Sequence, residues 1–319
     1  MINKAIFLFP GQGAQYPNMG LDLLDLSAEA KKVFETASRV LGLDMVKLIH
    51  NSDAETLKRT YFSQIAISAA SLAAAAFLKE KGIAPMACAG FSLGEYPALC
   101  CADVISLEDC FRLTDARGKA MQETIDRIKN GTSAPGMAAV IGLAPEQAEA
   151  LIAEWKNAGL EGLYAANINS PKQVVVSGAS AALEEAEKRF KEAGAKRVIR
   201  LQVAGPFHSP FMKEAADAFA PTLDKIQFND PAIPVFSNVT GKQIHSGAEA
   251  KALALRQIAE SVRWTDEEAS LCALKAEVLL EVGPGKVLQG LWKDTGSEVP
   301  CFAAGTAEEI NKLFEEEGI

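Results

Sequence analysis

The sequence predicts a layered α/β fold built on a mainly parallel sheet, with a smaller α/β unit inserted into it. Three observations lead there. Short apolar or β-branched runs alternate with longer helical patterns, the order expected when crossover helices connect parallel strands. The stretch SQIAISAASLAAAAFLKE is apolar almost all round, which places it inside the fold. From about residue 131 the rhythm changes to strand, helix, strand, strand, helix, strand.

The core elements follow in order. AIFLF reads as a first strand, residues 28–41 as a helix, and 64–78 as the buried helix. The apolar run Ala87-Cys88-Ala89 then leads into GFSLGE, and LGEYPALCCADV reads as a helix with Pro97 early enough for its first turn. A long amphipathic helix, SLEDCFRLTDARGKAMQETIDRI, opens on the box-like pair Ser106 and Asp109. Next come MAAVIGL (strand), PEQAEALIAEWKNA (helix), LYAANI and QVVVSG (strands), AALEEAEKRFKEAG (helix) and KRVIRL (strand). This βαββαβ order is that of a ferredoxin-like unit. We expect it over 129–198, inserted in a core formed by 1–128 and 199–319.

Composition excludes several function classes. A chain of 319 residues that is 49% hydrophobic can bury a large core without staples. Its six cysteines form no C-x-x-C pair, which suits reduced thiols in a cytoplasmic protein. The apolar run before Pro10 is too short for a signal peptide or a membrane span, so no membrane association is expected. A net charge of -9 without a basic block argues against nucleic acid. Three scattered histidines, His50, His208 and His245, give no metal-binding spacing. The sequons at Asn130-Gly131-Thr132 and Asn238-Val239-Thr240 read as loop chemistry.

Chemistry is expected at GFSLGE. G-x-S-x-G between a strand and a helix is the nucleophile elbow, whose small flanking residues allow a tight turn that exposes the hydroxyl. It marks the layered core as α/β-hydrolase-like. The free amides that follow, beginning with Leu93, would face a developing oxyanion. A capping serine in an ordinary Gly-rich turn would look the same. As a nucleophile Ser92 needs a base, and His208, in the Pro-broken apolar segment QVAGPFHSPFM, is better placed than His50 or His245. A hydrolase histidine normally lies near the C-terminus, whereas more than a hundred residues follow His208, so a plain esterase is the weaker reading.

Arg117 sits at the margin of an inward helix stripe of Leu107, Cys110, Phe111, Thr114, Gly118, Met121 and Ile125 that contains no acid. It could pair with a carboxylate from elsewhere in the fold, reach out to water, or hold a substrate carboxylate through its planar fork.

Together FPGQGAQ, GFSLGE, Arg117, GPFHS, PVFSNVTG, RQIAESVRW and EVGPGKVL resemble the malonyl-CoA:acyl carrier protein transacylase family along nearly the whole chain. The resemblance implies Ser92 as nucleophile and His208 as base. It implies an oxyanion hole from the amides of Gln12 and Leu93, and Arg117 on the malonate carboxylate. Gln257 would lie beside the histidine, where main-chain carbonyl contact replaces the usual triad acid. Phe207 would favour malonyl over methylmalonyl. The implied substrates are a coenzyme A thioester and acyl carrier protein, with no cofactor and no metal, in fatty acid or polyketide synthesis. A thioesterase or esterase is the alternative. The family commonly has histidine before the serine, and this chain has Phe91, expected to keep the packing while losing one polar contact. The basic cluster Lys188-Arg189-Phe190-Lys191, with Lys196 and Arg197, is either a docking patch for an acidic carrier or a solvated helix face.

Overall fold

The computed structural model describes residues 4–129, 135–202 and 205–315. Strands β1 (Ala5–Phe9), β2 (Pro85–Gly90), β7 (Val278–Glu281) and β8 (Cys301–Ala303) form one sheet in the order β2-β1-β7-β8, all parallel. Every residue of β1 is buried, because helices cover both faces of a parallel sheet. Phe7 and Phe9 join the larger core with the Ala28–Leu41, Thr60–Glu80 and Leu107–Lys129 helices, while Ile6 and Leu8 pack with Trp264 and Trp292.

The Thr60–Glu80 helix extends past both predicted ends. By length and composition it could cross a membrane, yet 83% of its apolar window is buried inside the fold, so it serves as a core helix. Its polar residues Ser63, Gln64, Ser68 and Ser71 are fully buried as well.

The second sheet contains β3 (Gly136–Ile141), β4 (Leu163–Ser170), β5 (Gln173–Gly178) and β6 (Arg197–Arg200), in the order β4-β5-β3-β6 with every neighbouring pair antiparallel. Helices Pro145–Asn157 and Ser180–Glu192 cover one face, where Trp155 meets Phe190 edge-on at 4.7 Å. From the other face Met137, Ala139 and Val175 join the larger core. Val262 ties β4 to the core: its N–H donates to Ala166 O at 2.9 Å, and its carbonyl accepts from Ile168 N–H at 2.8 Å. The Asn130-Gly131-Thr132 sequon lies outside the described residues.

Candidate active site

The elbow follows from close backbone approach. β2 ends at Gly90, Phe91 N–H donates to Phe9 O at 2.9 Å, and Ser92 is held at φ +53° before the Glu95–Cys101 helix begins. A Cβ on Gly90 would come 2.0 Å from the Gly94 carbonyl carbon, and one on Gly94 would come 2.0 Å from Phe9 O. Neither position accepts a side chain, so the spacing of the two glycines is a steric requirement of the bend.

His208, also left-handed at φ +52°, is held at 4% exposure. Its Nε2 lies 2.7 Å from Ser92 Oγ, and its Nδ1 faces the carbonyls of Gln257 at 2.9 Å and Glu260 at 3.2 Å. Two carbonyl acceptors fix the proton on Nδ1, which leaves the Nε2 lone pair toward the hydroxyl. Burial and the nearby Arg117 charge lower the imidazole pKa to about 4, against the opposing pull of the two carbonyls. The ring is therefore a neutral acceptor at neutral pH. His50 and His245 are exposed, and neither lines the cavity that holds Ser92 and His208.

Arg117 is only 1% exposed, deeper than the margin predicted from periodicity. Its guanidinium donates to Gln64 Oε1 at 2.9 Å, Gln257 Oε1 at 3.0 Å and Ser92 Oγ at 3.2 Å, and stands 5.5 Å from the centre of the Tyr96 ring. Among the described residues no carboxylate forms an ion pair with it, and its Nε has no hydrogen-bond partner. Neither a structural ion pair nor an escape to water describes it. Without direct contact, the buried Glu95 carboxyl offsets part of the burial cost that lowers the Arg117 pKa.

Gln257 joins these groups. Fully buried, it donates from Nε2 to Ser92 O at 2.8 Å and accepts from Arg117, while its carbonyl takes the His208 Nδ1–H. Leu93 is buried directly after the serine. The Gln12 loop lies against the elbow, since a Cβ on Gly11 would come 2.6 Å from Phe91 O. Ser92, His208 and Arg117 open into one cavity of about 440 Å³, whose wall includes Gln12, Phe91 and Phe207. Phe91 packs edge-on against Trp264 at 5.4 Å.

Several members of the site were not foreseen. Asn238, expected in a loop sequon, is fully buried and braces the elbow. Its Oδ1 accepts from Ser92 N–H at 2.6 Å, and its Nδ2 donates to Gly90 O and Glu267 Oε1, both at 2.7 Å. Its own N–H donates to Glu95 Oε2 at 2.8 Å. Burial raises the Glu95 carboxyl to about 7, and burial together with Glu95 raises Glu267 well above its ordinary range. Gln64 was a visible clue: a glutamine inside a helix that is otherwise apolar or small.

Part of the basic cluster is neutralised by its own helix, and Lys196 and Arg197 lie beyond that helix. Arg189 pairs with Glu185 at 2.8 Å and Lys191 with Glu187 at 2.7 Å, one turn apart. Among the described residues, no group of three His, Cys, Asp or Glu side chains is placed to hold a metal ion.

A family model described as acyl transferase domain matches residues 6–312. The chain is 41% identical over 320 residues, covering 98% of it and 99% of the relative, to a malonyl CoA-acyl carrier protein transacylase of Haemophilus influenzae. It is 42% identical to the protein of that description from Escherichia coli, covering 90% of this chain and 91% of the relative. Among solved structures, an acyl carrier protein S-malonyltransferase from Vibrio cholerae superposes with a TM-score of 0.90 at 38% identity, covering 98% of this chain and all of that one. A malonyl-transacylase in complex with a type II PKS acyl-carrier protein superposes with a TM-score of 0.89 at 37% identity, covering 98% of this chain and 99% of that one.

Proposed function

The chain belongs to the acyl transferase family, and we propose that Ser92, His208 and Arg117 carry its reaction, malonyl transfer from malonyl-CoA to the phosphopantetheine thiol of acyl carrier protein. The observation that carries this reading is the shared cavity, where the serine hydroxyl meets a neutral imidazole at 2.7 Å and, at 3.2 Å, a buried guanidinium that has no ion pair among the described residues. A hydrolase of neutral esters has no use for that cation.

The transfer runs in two halves. Ser92 Oγ attacks the thioester carbonyl as its proton passes to His208 Nε2. The carbonyl oxygen becomes an oxyanion facing the amides of Gln12 and Leu93. Collapse breaks the carbon–sulfur bond, and the coenzyme A thiolate leaves with the proton from Nε2. In the second half the carrier thiol gives its proton to Nε2, its sulfur attacks the malonyl ester, and Ser92 Oγ departs with that proton. The Nδ1–H stays on the Gln257 and Glu260 carbonyls throughout, so they stabilise the imidazolium in place of a triad acid. Arg117 holds the malonyl carboxylate in a charge-assisted fork and so fixes the acyl group against rotation. Nucleophile, base and cation are all side chains, so the reaction needs no cofactor.

Phe207, beside the histidine, narrows the acyl end against a branching methyl group, which is worth about 1 to 3 kcal/mol. Phe91 acts by packing on Trp264. The fold is read as an α/β-hydrolase-like core, 1–128 and 199–319, with a ferredoxin-like subdomain over 129–198; the β4-β5-β3-β6 antiparallel order supports the latter. Six free thiols suit a cytoplasmic location.

Mixing the protein with malonyl-CoA, with and without phosphopantetheinylated carrier, and weighing the products tests the function. Malonyl-carrier is expected only when carrier is present, with little free malonate in its absence. Rapid carrier-independent release of malonate would support a thioesterase instead.

A further inference from the structure

The glutamate that closes GFSLGE takes no part in the proton and acyl transfers, yet it shares a buried region with the groups that do. Glu95 is 1% exposed, and its Oε2 accepts from Asn238 N–H at 2.8 Å. Asn238 Oδ1 lies 3.4 Å from Nε2 of Gln257, whose Oε1 accepts from Arg117 at 3.0 Å. Two neutral amides therefore link the carboxyl to the guanidinium. Among the described residues, the titratable groups that interact with Glu95 are Arg117 on the Leu107–Lys129 helix, Glu267 on the Trp264–Cys272 helix and Tyr96 on its own helix. Burial keeps the Tyr96 hydroxyl neutral. Asn238 Nδ2 donates to Glu267 Oε1 at 2.7 Å, so one residue bridges two buried carboxyls, and burial together with Glu95 keeps Glu267 protonated. Arg117 and Glu95 are left as the charges of this region near neutral pH.

One cation cannot serve two anions equally. In the empty site burial raises the Glu95 carboxyl to about 7, against the opposing pull of the Asn238 N–H, the Gln257 amide and the Arg117 charge. Glu95 in return offsets part of the cost of burying the guanidinium. A malonyl carboxylate on Arg117 brings a second negative charge into the same water-poor region, where like charges repel far more strongly than in bulk water. We propose that Glu95 is the resident counter-anion of Arg117 and a specificity-determining residue, which balances the guanidinium in the empty site and releases it by taking a proton from solvent when the malonyl carboxylate arrives. The proton ends on the Glu95 carboxyl and returns to solvent when the acyl group leaves for the carrier. No other bond changes in this step. An acyl group without a carboxylate leaves Arg117 balanced by Glu95 and takes up no proton. Malonyl binding is thus proton-linked, and acetyl binding is not.

The inference rests on the malonyl-transfer reading, and its test can fail separately. Malonyl-CoA and acetyl-CoA are titrated calorimetrically into Ser92→Ala, which cannot be acylated at that position, from about pH 5 to 8.5, and the ratio of the two Kd values gives the malonyl preference. Phosphates common to both ligands cancel from that ratio. A ligand that binds with proton uptake loses affinity as pH rises through the carboxyl's value in the free protein. The preference should therefore be level below about pH 7 and fall above it, by about five- to tenfold at pH 8.5 for a one-unit rise of the Glu95 carboxyl on binding. With Glu95→Gln added, it should keep its low-pH value throughout. Should that double variant not fold, the break in Ser92→Ala still decides: a fall that begins near 7 belongs to Glu95, and one complete before about 6.5 belongs to His208 and overturns the assignment. A preference that stays level to pH 8.5, or that still falls with Glu95→Gln in place, overturns it as well. No malonyl preference at any pH would instead remove the transfer reading on which it rests.

Discussion

Replacing Arg117 with alanine should reverse which acyl group the site prefers. The guanidinium is buried, meets the oxygens of Gln64, Gln257 and Ser92 at 2.9 to 3.2 Å, and has no ion-pair partner among the described residues. A malonyl carboxylate entering there gains two charge-assisted hydrogen bonds, each worth about 1.5 to 3 kcal/mol. Their loss should lower kcat/KM for malonyl-CoA by about 10² to 10⁴-fold. Acetyl-CoA lacks the carboxylate and never gained those bonds, so its rate should move by less than about tenfold. The truncation leaves Gln64 and Gln257 each without a donor, costing about 1 to 3 kcal/mol apiece, and removes a desolvated cation, which offsets part of that cost. The variant should therefore fold. Competing malonyl-CoA against acetyl-CoA and reading both acyl-enzymes by intact mass gives the preference directly. Should the malonyl preference of the variant stay within threefold of the native value, the clamp has no place in the mechanism.

Three further outcomes are expected. For the free protein, the acid limb of kcat/KM should fall with a midpoint near 4, where an ordinary histidine would give 6.5, and Arg117→Ala should move that midpoint upward while burial keeps it below 6.5; a native midpoint near 6.5 contradicts the assigned base. Stability alone would hide this. The lowered His208 contributes stability above pH 6.5 that is lost as pH falls toward 4, whereas the raised Glu95 contributes stability below pH 4.5 that is lost as pH rises through about 7, so the two slopes oppose each other. Gly94→Ala should destabilise by about 3 kcal/mol or more in urea titration, because its Cβ would come 2.0 Å from Phe9 O; a native-like midpoint would mean the elbow can relax. Phe91→His should keep malonyl transfer within about tenfold, since the ring acts through its packing on Trp264, and abolished transfer would show that position 91 does more than pack.

What could be read from the sequence divides along physical lines. The elbow was legible because its logic is local: an apolar strand, two glycines that must lack a Cβ, and a helix start. Arg117 was legible as an anomaly of helical period, though periodicity put it at the edge of a stripe and only tertiary packing shows that the Thr60–Glu80 helix covers it. Gln257 and Gln12 had no local signature and entered through resemblance, since their partners lie 165 and 48 positions away. Asn238 was misread for the same reason. A polar residue beside valine and threonine looks like a surface turn until Ser92, 146 positions earlier, supplies its N–H.

Mapping where the malonyl group resides tests the central claim most directly. The native protein is treated with malonyl-CoA without carrier, digested at low pH, and its peptides are weighed. The account predicts one malonyl ester on Ser92, discharged by carrier thiol and absent from Ser92→Ala. A label on another residue, or one that persists in Ser92→Ala, contradicts it.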